Sequence, residues 1–128
     1  MRLLLDTHAL LWVIEDSPKL SAAVRASLNN PMNEIFVSAA SAYEICLKHV
    51  LGKLPGAAIL ARDFAREIGS LACTPLSITV DHAAAAGLLD PAHRDPFDRL
   101  LIAQASVEGM TLVSNETLFD AYGVARLW

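Results

Sequence analysis

Short apolar runs separated by longer helical patterns recur along the whole of this 128-residue chain. Residues 2–5 read as a buried strand, too short for a helix and stopped by Asp6. Residues 34–37 (Glu34-Ile35-Phe36-Val37), about 72–76 and 111–114 repeat the pattern, and 124–128 offer a fifth strand. Between them lie helices: His8 to Glu15, ended by Asp16-Ser17-Pro18, and a second from the cap Ser21 to about Asn29. Ser41-Ala42-Tyr43-Glu44 matches a capping box and opens a helix that stops near Gly52. Residues 57–68 read as helix with Gly69 as the stop, and another helix runs through Ala83–Ala86. After the loop 90–96, with its two prolines, Asp95-Pro96 opens a helix from Phe97 to Glu108, closed by Gly109, and a short helix covers about Glu116–Ala121. Strands alternating with helices imply a three-layer α/β/α architecture with a central parallel sheet of four to five strands, in one domain spanning 1–128. Such sheets bind ligands outside the carboxyl ends of their strands.

Composition narrows the function. Apolar residues make up 54% and charged residues 19%, which excludes disorder and is apolar enough to imply a partner covering part of the surface. The net charge of −4 argues against indiscriminate nucleic-acid binding, so any such substrate must be gripped locally or through cations. Aromatic content of 6% is too low for a base-stacking platform. Cys46 and Cys73 lie in apolar segments without zinc spacing, as buried free thiols in a reducing cytoplasm would. Met1-Arg2-Leu3-Leu4-Leu5 faintly mimics a leader, but Asp6, His8, Glu15 and Asp16 interrupt it, and no apolar run can span a bilayer.

The chemistry-bearing residues are acids at the expected carboxyl edge. Asp6 follows the first strand, Glu44 lies in the first turn of the helix after the second, Asp98 in the first turn of the helix after the Pro-rich loop, and Glu116 just past the fourth strand. Each alone is explained by helix capping or by the helix dipole. Together, with no obvious positive side-chain partner, they repel one another, and a hard divalent cation such as Mg²⁺ or Mn²⁺ would neutralise them. A metal there can activate water and stabilise a phosphoryl transition state. Thr7 and Ser114 flank the same edge as candidates to bond a carboxylate or metal-bound water, with capping the plainer role for Thr7; Asp95 is an extra acid or a plain N-cap. His8, His93, Arg94 and Arg99 lie near enough in sequence to touch substrate phosphate. Lys48, Lys53, Arg62 and Arg66 read as a solvated face, and Trp12 and Trp128 as packing residues.

The segments Leu3-Leu4-Leu5-Asp6-Thr7-His8, Val37 to Ile45, His93 to Ala105 and Leu112-Val113-Ser114-Asn115-Glu116 come in the order seen in PIN domains. The chain resembles VapC-type toxins of bacterial or archaeal toxin–antitoxin pairs over nearly its whole length, to Tyr122-Gly123-Val124 and Leu127-Trp128. The resemblance implies a Mg²⁺- or Mn²⁺-dependent endoribonuclease, a small antitoxin that blocks the active site, and a homodimer. Asp6, Glu44 and Asp98 match the family's three principal acids, and Glu116 stands at the fourth position, more often Asp. Glu reaches one methylene further, which bears on second-metal geometry. Tyr43 stands where an aromatic, often Trp, is common.

Three rivals are weighed. A receiver domain would want an acidic pair after strand one, an Asp after strand three and a Lys after the last strand, but Asp6 stands alone and Thr74-Pro75-Leu76-Ser77 has no acid. A haloacid-type phosphatase would want a second Asp where His8 stands. A catalytically inactive PIN-like binding module would not need the four acids intact.

Overall fold

A computed structural model describes residues 1–128. Five strands, β1 (Arg2–Leu5), β2 (Glu34–Ser38), β3 (Thr74–Leu76), β4 (Thr111–Val113) and β5 (Arg126–Leu127), form one all-parallel sheet in the order β3-β2-β1-β4-β5. The Leu3-Leu4-Leu5 run makes β1 the central strand. A parallel strand is covered on both faces, so all three leucines can be apolar, and all three are fully buried. Leu3 and Leu5 face one way with Val37 and Val113; Leu4 faces the other with Phe36 and Leu112.

Helices cover each face. The first core takes Leu10 of α1 (Thr7–Ile14), Val24 of α2 (Ala22–Leu28), Ile45 of α3 (Ala39–Val50), Leu60 of α4 (Ala58–Arg62) and Ile68 of α5 (Phe64–Ser70). The second takes Leu101, Ile102 and Ala105 of α7 (Pro96–Glu108) and Phe119 of the 3-10 turn Thr117–Tyr122, while α6 (Val80–Gly87) packs along α7. Trp12 and Trp128 pack together beside the first core, ring centroids 5.4 Å apart.

The chain steps outward from β1 through β2 to β3, and α6 and α7 then return it to β4 on the other side of β1. That reversal places a crevice beyond β1, where the Asp6 N–H donates to the Val113 carbonyl at 3.1 Å. A receiver-type sheet sets its third strand beside the first; here β4 takes that place.

The elements differ from the sequence expectation in four places. α3 starts at Ala39, not at Ser41, because the Ser38 hydroxyl accepts the Ala40 N–H at 2.9 Å; Ser41 is buried inside the helix and the expected capping box with Glu44 does not form. The expected helix 57–68 is a 3-10 turn (Pro55–Ala57) followed by α4 and α5, broken at Asp63. This residue leaves helical geometry (φ −154°) and caps α5 through the Arg66 N–H. Gly69 lies inside α5, and the stop comes at Ala72 with φ +58°. The short helix expected from Glu116 is the 3-10 turn, with Glu116 just ahead of it and its side chain capping nothing. By contrast Asp95, Pro96 and Gly109 (φ +64°) bound α7 as expected.

Candidate active site

Asp6 is placed by two local demands at once. It ends β1, and its Oδ1 accepts the Ala9 N–H at 2.7 Å as the N-cap of α1. The capping role weighed for Asp6 is therefore real, and it fixes the carboxylate at the reversal of the sheet. The side chain is 4% exposed and has no ion-pair partner. Burial pushes its carboxyl above the ordinary range and Glu116 pushes it further; the Ser114 hydroxyl, the Ala9 N–H and His8 pull it back. Ser114 is fully buried, and its hydroxyl accepts the backbone N–H of Glu116 at 3.0 Å.

The other side of the crevice is built by α3 and α7. Glu44, in the second turn of α3, is 5% exposed. Thr7 does not cap α1; its hydroxyl donates to Glu44 Oε1 at 2.6 Å and stands 3.2 Å from the Ser41 hydroxyl. Lys48, one turn on, donates its ammonium to Glu44 Oε2. The acids are thus not without a cation, and Lys48 is no member of a merely solvated face. Asp98, in the first turn of α7, accepts from His93 Nε2 on Oδ2 at 3.0 Å. Its carboxyl is pushed up to about 6, chiefly by burial and then by Asp95, with Glu44 adding to the rise and His93 opposing it. Asp95 is the exposed N-cap of α7, its Oδ1 accepting the Phe97 N–H at 2.9 Å.

Polar groups that sequence reasoning did not assign hold these two helices. Fully buried Gln104 of α7 accepts from the Ser38 hydroxyl and donates to the Ser77 carbonyl at 3.2 Å, tying α7 to the ends of β2 and β3. Tyr43 and Phe97 stack with centroids 5.6 Å apart beside the same crossing. Arg99 is directed at no open crevice. Its guanidinium bonds the carbonyls of Gly87, Leu89, Asp90 and His93 and so clamps the loop that carries His93. His82 and Thr79 form a reciprocal cap on α6. Because His82 Nδ1 accepts the Thr79 N–H, Nε2 carries the proton and donates to Glu108 at 2.8 Å. Cys73 is buried, its thiol pushed up to about 11 by burial, and Cys46 is half-buried.

No three acid, His or Cys side chains stand close enough to cage an ion among themselves. The donor set nevertheless fits a hard cation that keeps most of its own water. Mg²⁺ needs one or two carboxylates rather than a cage, and buried Asp6 offers a carboxylate without a compensating charge. No helix is long and apolar enough to cross a membrane.

The family model of the PIN domain matches residues 3–125. No curated protein matches the chain. Among solved structures it is similar to VapBC2 from Rickettsia felis, bound to a fragment of promoter DNA, at 16% identity and a TM-score of 0.73, covering 99% of this chain and 98% of that one. It is also similar to VapBC-1 from nontypeable Haemophilus influenzae (16%, 0.68, 99% and 97%) and to FitAcB from Neisseria gonorrhoeae (21%, 0.67, 98% and 96%). At these identities the likeness is one of fold.

Proposed function

The chain belongs to the PIN-domain family, and from that premise we propose that it is a metal-dependent endoribonuclease, the toxin of a toxin–antitoxin pair. The observation that supports the proposal is Asp6, buried without an ion-pair partner and with raised proton affinity at the reversal of the sheet, where ligands of parallel sheets bind. Asp6 and Asp98 would hold Mg²⁺ or Mn²⁺, with Glu44 directly or through water and Glu116 for water or a second ion. Bound there, the cation supplies activated water and charge neutralisation at a phosphodiester. The protein's own residues set the stage. The Ala9 N–H and Ser114 fix Asp6, Thr7 orients Glu44, and His93 fixes the rotamer of Asp98.

A further similar structure, from Klebsiella pneumoniae, is described as a toxin–antitoxin complex. A partner also suits the apolar side chains left open on α3, its end and α4: Tyr43, Val50, Leu51 and Ile59 are each more than half exposed. The partner proposed is the cognate antitoxin, bound to a homodimer of this chain. The test is hydrolysis of single-stranded RNA by the purified protein. Cleavage should require Mn²⁺ or Mg²⁺ and stop in excess chelator; cleavage unaffected by chelator, with contaminating nuclease excluded, would overturn the metal mechanism.

A further inference from the structure

Glu44 has both carboxylate oxygens engaged without any metal: Oε1 by the Thr7 hydroxyl, Oε2 by the Lys48 ammonium. A divalent cation bound to this carboxylate would sit beside that ammonium, and two positive charges a few ångströms apart in a half-buried site repel strongly. Lys48 is also the only lysine or arginine in ion-pair contact with any of the four acids. Two nearby arginines are committed elsewhere, Arg99 to four backbone carbonyls and Arg126 to Asp120 and the Ser114 carbonyl. An acidic crevice on a chain of net charge −4 repels RNA, so a local cation is needed to hold the backbone. The Lys48 side chain is 35% exposed beside the 7%-exposed Glu44, so solvent lies open to it on one side.

We propose that Lys48 is an exchangeable counter-ion: it neutralises Glu44 while the metal is absent, yields that carboxylate to the cation, and then contacts a phosphate of the RNA backbone. This rests on the metal-dependent ribonuclease function above and adds a substrate-binding residue to it. The exchange has two consequences of opposite sign, which a plain surface ion pair would not produce. Removing the ammonium should tighten metal binding and weaken RNA binding.

The experiment compares the parent, Lys48→Gln and Lys48→Arg. Mn²⁺ binding is measured directly by electron paramagnetic resonance without RNA, and cleavage of a single-stranded RNA oligonucleotide is measured at saturating Mn²⁺ over a range of salt. Lys48→Gln should bind Mn²⁺ about two- to fivefold more tightly, as expected for losing one partly exposed ion pair. Its KM should rise and its log–log salt dependence should flatten by about one phosphate contact, with kcat little changed. Lys48→Arg should stay near the parent in both. Unchanged Mn²⁺ affinity in folded Lys48→Gln would overturn the exchange, and an unchanged salt slope would overturn the phosphate contact. A parent that cleaves no RNA would count against the ribonuclease function itself, and the Mn²⁺ measurement would still decide the exchange.

Discussion

Asp98 and Asp6 both resist ionisation because each is taken out of water with too little positive charge in return. For Asp98 the folded value of about 6 lies above its ordinary 3.8, so between these values the folded chain holds more protons than the unfolded one and stability falls as pH rises. The metal-free protein should therefore melt higher at pH 5 than at pH 7. Mn²⁺ should close that gap by favouring the ionised carboxylates, as differential scanning calorimetry would show; a gap that Mn²⁺ leaves unchanged would argue against ion binding there. Asp6→Asn keeps an oxygen for the Ala9 N–H but removes the buried charge, whereas Asp6→Ala also loses the cap, worth about 1 kcal/mol. The metal-free Asn variant should thus be the more stable of the two in denaturant melts. Glu116 is exposed and acts on Asp6 through charge. Glu116→Gln should need more Mn²⁺ for the same initial rate, while Glu116→Asp should keep much of the activity; parental rates in both variants at every Mn²⁺ concentration would leave Glu116 only a place at the start of a turn. Asp6, Asp98 and Glu116 stand out in the sequence because each follows a strand or opens a helix, whereas Glu44 stands out only through a capping box that does not form. Lys48 does not stand out, since a Glu–Lys pair four residues apart on a helix looks the same in sequence whether it faces solvent or a crevice.

Two helices, α3 and α7, decide how far Glu44 stands from Asp98, and their crossing is set by polar contacts buried beneath it. Gln104 bonds Ser38, which is six residues before Glu44 on the α3 side, and is itself six residues after Asp98 on α7. Gln104→Leu leaves the buried Ser38 hydroxyl without its acceptor. It should cost about 2 kcal/mol of stability by urea unfolding, and it should lower cleavage at subsaturating Mn²⁺. A stable variant with parental Mn²⁺ dependence would show that the crossing is fixed by apolar packing alone. The same crossing explains what sequence pattern missed. Caps with strong local chemistry, Ser21, Asp95-Pro96 and Gly109, fell where expected. The start of α3 did not, because Ser38 and Ser41 are equally good caps in isolation, and only the end of β2 and the contact to Gln104 select Ser38. The break at Asp63 was hidden for a similar reason: the residues around it favour helix on both sides, and Asp63 closes one helix by capping the next.

Across the whole molecule, alternating runs specified the parallel sheet, but strand order is a long-range property that α6 and α7 settle by carrying the chain back past β1. That return lets residues distant in sequence act on one another: Glu44 on Asp98, Glu116 on Asp6, and Thr7, next to Asp6, on Glu44. The exposed apolar residues of α3 and its neighbourhood give an expectation about partners. Expressed alone the protein should arrest growth, and co-expressed with a neighbouring antitoxin gene it should co-purify as a stable complex. A harmless monomer that captures no antitoxin would remove the toxin assignment. The carboxylate chemistry itself is tested by initial RNA cleavage rates across a Mn²⁺ titration for the parent and Asp6→Asn, both verified as folded by a cooperative melt. The parent rate should rise to saturation with Mn²⁺ while Asp6→Asn stays at background throughout; an Asp6→Asn curve superimposed on the parent's would mean that Asp6 is a helix cap and nothing more.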